Sequence, residues 1–150
     1  MSSSKAVLGV GIFCILFIGL SLSITSTVLG AMRPGNCDTT DDMGLNVGDY
    51  LLGSGIFGIV YCVLLALFYS MVILDIAVVG ATVGITFISI LGALYGLAWF
   101  IVGAIILYRG NIECIKEGSI HVIYALVMWC ISAFNLVMNC INIRVNSKDR

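Results

Sequence analysis

The sequence predicts an all-α integral membrane bundle of four transmembrane helices with short loops and no soluble domain. Three observations predict it. Hydrophobic residues make up 61% of the 150-residue chain, charged residues only 10%, and mean hydropathy is +1.15. A soluble domain of this size needs far more charge on its surface. Four apolar runs, at about 6–31, 50–74, 82–108 and 120–143, reach the roughly 20 residues a helix needs to cross hydrocarbon. The segments between them are too short to fold alone.

The first run follows Lys5 and ends among small residues. A secretory apolar region is about 7–15 residues long, so this longer run reads as an uncleaved anchor. Its outer end carries Ser21, Ser23, Thr25, Ser26 and Thr27. Hydroxyls inside membrane helices commonly bond back to the carbonyl one turn earlier, and that is expected here. Loop one then holds Arg33, the single proline Pro34, Cys37, Asp38, Asp41, Asp42 and Asp49.

Spans two and three are nearly fused, because Asp75 is the only charge between Tyr50 and Tyr108. A carboxylate at the bilayer centre is costly, so the turn is expected near Asp75, extending as far as Gly80. Helices joined so tightly must be antiparallel neighbours. Span three carries a ridge of small residues at four-residue steps, Gly80, Gly84, Gly92 and Gly96, interrupted by Ile88. Such a face lets helices approach closely and gain van der Waals contact. Gly53, Gly55 and Gly58 on span two, and Gly9, Gly11 and Gly19 on span one, offer partner surfaces. Packing within the chain and packing between subunits both fit.

Loop three contains Arg109, Glu113, Cys114, Lys116 and Glu117. Span four follows, and one of its faces is polar. Asn135, Asn139 and Asn142, continued by Asn146, recur at spacings of four, three and four. At about 100° per residue they share a narrow sector that also collects His121, Tyr124 and Ser132. Polar side chains avoid lipid, so the stripe must face protein or water. It is either interhelical hydrogen-bond glue or the wall of a wetted pathway with weak charge selectivity. Tyr50, Tyr108 and Tyr124 fit interfacial belts, whereas Trp99 and Trp129 lie deeper and are expected to pack between helices.

Orientation follows from basic residues near the span ends. Lys5, Arg144, Lys148 and Arg150 fall on the side of the termini; Arg33, Arg109 and Lys116 fall opposite. The termini are therefore expected to be cytoplasmic, in the plasma membrane or another secretory-pathway membrane. Cys14, Cys62, Cys130 and Cys140 lie within spans, while Cys37 and Cys114 are the two loop cysteines. Both loops face the same, extracytoplasmic side, where disulfides persist, so a Cys37–Cys114 bridge is expected.

Several short signatures carry a family resemblance: Pro34-Gly35-Asn36-Cys37, Tyr50-Leu51-Leu52-Gly53, Trp99-Phe100-Ile101-Val102-Gly103 with Tyr108, Cys114, and Tyr124-Ala125. On these the chain resembles the transmembrane protein 272-like family of small four-span membrane proteins. Where that family has a proline-rich stretch, this chain has Asp38-Thr39-Thr40-Asp41-Asp42. The resemblance implies the four-span topology and the loop cysteines, and no particular activity.

Enzyme chemistry is not expected, and no catalytic residue is assigned. His121 is the single histidine, and zinc wants three or four ligands at fixed spacing. No metal, cofactor or nucleic-acid partner is expected either, the last because no basic patch exists. The lipid bilayer is the first expected partner, followed by further copies of the chain or a larger membrane protein. Two functions fit: a structural, accessory or self-assembling membrane component, or a homo-oligomeric pore lined by span four.

Overall fold

The computed structural model describes residues 3–32, 45–110 and 119–148, with side chains over 6–32, 45–108 and 119–137. It is all-α, and no strand occurs among the described residues. The helices are α1 (Ser3–Cys14), α2 (Leu20–Ala31), α3 (Val47–Ile73), α4 (Val78–Ile105) and α5 (Ile120–Lys148). A π-helical segment, Ile15–Gly19, joins α1 to α2, and another, Ile106–Gly110, extends α4. Among the described residues, four stretches are long and apolar enough to cross a membrane: Ala6–Ala31, Val47–Ile73, Val78–Tyr108 and Ile120–Val137. Between 6% and 17% of the residues in their most apolar windows are buried within the chain. The outward apolar faces therefore require a lipid environment, and the expected membrane class holds.

Local chemistry explains one boundary that differs from the sequence expectation and one that agrees with it. Helix α3 begins at Val47 because Asn46 and Asp49 form a reciprocal capping box. The Asp49 N–H donates to Asn46 Oδ1 at 2.7 Å, and the Asn46 N–H donates to Asp49 Oδ2 at 3.4 Å. Two otherwise orphaned donors are satisfied, which pulls Asp49 out of loop one and into the helix. The α3–α4 turn occupies 74–77, centred on Asp75 as expected from its charge.

That turn closes as a Schellman motif. The Asp75 N–H donates to Val72 O at 3.3 Å and the Ile76 N–H to Met71 O at 2.9 Å, with Asp75 left-handed at φ 58°. Glycine usually takes this position. Ala77, immediately before α4, is also left-handed at φ 45°. An L residue held there costs roughly 1–2 kcal/mol, so the short connection stores strain that glycine would relieve.

The chain divides into two compact units. The first takes α1, α2, α3 from Leu51 onward and α4 as far as Tyr95. Its buried residues include Ser26, Leu51, Cys62, Leu65, Ala66 and Ala81. Small residues let α2 and α3 approach: a Cβ on Gly55 or Gly58 would meet Thr27 and Ser23, and one on Gly19 would meet Cys62 Sγ at 2.9 Å. Positions rise on one helix as they fall on the other, so the pair is antiparallel. The same holds for α3 and α4, where the Phe68 ring lies over Gly84 and the Tyr61 ring over Gly92. Tyr95 stacks on Phe57 at 3.6 Å between centroids, and its hydroxyl donates to Gly53 O at 3.1 Å.

The second unit takes the start of α3 through Tyr50, α4 from Gly96, and α5. Val47, Ile106, Leu107, Val122 and Ala125 are fully buried in it. Tyr50, expected at a membrane interface, is 4% exposed. It stacks on Trp99 at 5.9 Å, and its ring fills the space over Gly103. Trp99 Nε1–H donates to Tyr50 O at 3.1 Å.

Candidate functional site

The polar face of α5 is the candidate site, because it is the feature whose surroundings distinguish glue from pathway. An adjacent face is what docks. Val122 and Ala125 are fully buried there, and Trp129 stacks on Phe100 at 4.8 Å while donating Nε1–H to Phe100 O at 3.0 Å. Tyr108 meets Trp129 edge-on at 5.4 Å. These contacts fix the rotation of α5, and with it the direction of the polar stripe. Counting about 100° per residue from this buried face, the stripe falls on the shoulder between the packed and exposed sides.

Each stripe residue then has its own surroundings. His121 is part-buried, and its Nε2 is enclosed without a hydrogen-bond partner among the described residues. Tyr124 is part-buried. Ser132 donates its hydroxyl to Met128 O, one turn back, at 3.0 Å, so it binds its own helix and no neighbour. Asn135 is exposed, and no hydrogen bond joins its side chain to another described residue. Among the described residues, neither Ser132 nor Asn135 bonds a neighbouring helix. A serine can satisfy itself locally, whereas the Asn135 amide is exposed. The side chains of Asn139 and Asn142 lie outside the described part, although the helix runs through both.

The glycine ridge of α4 also divides. Gly84 and Gly92 seat aromatic rings, whereas Gly80 and Gly96 have nothing within 4 Å of a Cβ position. Gly9 and Gly11 on α1 are equally open. Gly84, Gly92 and Gly103 receive aromatic rings, whereas Gly55 lies directly against the backbone of α2 at Thr27 and Ser23. The span-one hydroxyls behave as their chemistry suggests. Ser21 donates to Phe17 O, Ser23 to Gly19 O at 2.8 Å, Thr25 to Ser21 O at 2.9 Å and Thr27 to Ser23 O at 2.9 Å.

Cys37 and Cys114 lie outside the described residues, and the bridge expected between them has no support in this structure. Among the described residues Cys14, Cys62 and Cys130 are free thiols. No group of three or more His, Cys, Asp or Glu side chains placed to hold a metal occurs among the described residues.

Sequence reasoning missed the carbonyl clamps. Trp99, Tyr95 and Trp129 each pair ring stacking with a hydrogen bond to a backbone oxygen on a neighbouring helix. No spacing rule reports that, because it depends on the relative rotation of two helices. The Asn46–Asp49 box was missed too, although Asn46-x-x-Asp49 is close to the capping pattern that ends in Glu or Gln. Compared with known proteins, the chain matches no family model, no curated protein and no solved structure.

Proposed function

We propose that this chain is a non-enzymatic integral membrane component that works by assembly, as a structural or accessory element in the bilayer. One observation carries the reading: most hydroxyl and indole donors described in the spans are bonded to backbone carbonyls, three of them across to a neighbouring helix. Hydroxyls on α2, α3, α4 and α5 bond back to their own helices at Ser23, Thr27, Ser70, Thr82, Thr86 and Ser132. The tryptophans and Tyr95 spend their donors on neighbouring carbonyls. The three interhelical bonds hold helices together, and the back-bonded hydroxyls are left with fewer donors to guide a solute. The resemblance to the transmembrane protein 272-like family accords with this reading. So does an orientation with cytoplasmic termini in a plasma or other secretory-pathway membrane, which the basic-residue count favours. Further copies of the chain, or a larger membrane protein, are the partners.

A second reading has an observation of its own. Asn135 is exposed on the shoulder of α5, and several copies around an axis would turn that stripe into a pore wall. Thiol accessibility separates the two. In a background with native cysteines replaced by alanine, cysteine is introduced at Asn135, Asn139, Asn142 and Asn146 in turn. A water-soluble thiol reagent reaches only wetted positions. The expected result is slow modification at 135 and 139, and faster modification at 142 and 146 toward the end of the helix. Fast modification at all four would support the pore instead.

A further inference from the structure

We propose that the outward shoulder of α5 is a self-association surface, on which Asn135 pairs with Asn135 of a second copy of this chain across a two-fold axis. This rests on the assembly reading above and names its surface. Asn135 lies within α5, about 22 Å along the helix from Ile120 and well before the basic residue Arg144. An amide facing hydrocarbon without a partner is strongly disfavoured. Ser132, one turn away, escapes that cost through its own helix; Asn135 has no such bond among the described residues.

Membrane symmetry selects the partner. Two copies inserted in the same orientation can be related by a two-fold axis along the membrane normal, which sets every residue opposite its own counterpart at equal depth. An asparagine on that contact line meets an asparagine. An amide carries both donor and acceptor, so each Nδ2–H can donate to the other copy's Oδ1, and both groups are satisfied at once. A foreign helix would need its own polar side chain at the same depth; a second copy supplies one automatically. The same sector of α5 continues through Asn139 and Asn142, extending the self-matching line toward the end of the helix. Beside it, a shallow apolar groove lined by Val127, Cys130, Ile131 and Phe134 offers the close contact on which membrane helix pairs depend.

The test is energy transfer between donor- and acceptor-labelled full-length protein in phosphatidylcholine vesicles, over falling protein-to-lipid ratios. Wild type should associate. Asn135→Leu should associate about tenfold more weakly, as expected for a pair of membrane hydrogen bonds, while Asn135→Gln should retain most of the affinity. In the alanine background for native cysteines, oxidised Asn135→Cys should give a covalent dimer, and Val122→Cys, at a buried position, should not. Undiminished association of Asn135→Leu, with no Asn135→Cys dimer, would overturn this surface and leave the assembly reading standing. A wild type that stays monomeric at every ratio would overturn both.

Discussion

Gly55→Ala is expected to destabilise the folded protein by about 1–3 kcal/mol, the usual cost of overpacking a close contact. The added methyl would sit 2.5 Å from the Thr27 backbone nitrogen and 2.7 Å from Ser23 O. Backbone cannot swing aside as a flexible side chain can, so α2 and α3 must separate. Gly80→Ala is the matched control, because a Cβ there meets nothing within 4 Å. It should be neutral or stabilising by up to about 1 kcal/mol, since alanine is the better helix former. Thermal unfolding of both variants in mild detergent checks the contrast. Equal effects at the two sites would mean that α2 and α3 do not pack through Gly55.

Trp99→Ala should produce the second large loss, about 2–4 kcal/mol, below the top of the range for tryptophan because the side chain is only part-buried. It removes the stack on Tyr50 and the bond to Tyr50 O together. Trp99→Phe keeps a ring to stack and deletes the donor. Its cost should be closer to 1 kcal/mol, the scale of one hydrogen bond inside a membrane. Denaturation of the reconstituted variants would rank them. If the phenylalanine variant lost as much as the alanine variant, the indole bond would outweigh the stack.

The architecture was legible because a bilayer permits so few solutions. With no water to satisfy the backbone, an apolar run of spanning length must be helical. A lone Asp75 between two such runs marks their turn. Faces were legible only in part. The four-residue steps of Gly80, Gly84, Gly92 and Gly96 suggested one packing ridge on α4, yet two of these glycines seat aromatic rings and two stand open. Periodicity reports which residues share a side, and it is silent on what lies opposite. The asparagine stripe shows the same limit. Its sector followed from spacing alone, but its place on the shoulder of α5 depends on the Trp129–Phe100 stack that sets the helix rotation. Helix ends depended on finer chemistry still, as at the Asn46–Asp49 box. The π-helical segments at Ile15–Gly19 and Ile106–Gly110 have no sequence signature that we can identify.

The central claim is that the chain acts by assembling in the bilayer and not by conducting solutes through it. Solute flux from vesicles reconstituted with the full-length protein tests this most directly. Small cations, small anions and an uncharged solute such as glycerol would be followed at a protein density where copies associate. The account predicts efflux no faster than from protein-free vesicles for all three, unchanged by Asn135→Leu. Rapid efflux of any of them, abolished by Asn135→Leu, would contradict it and establish α5 as the wall of a pore.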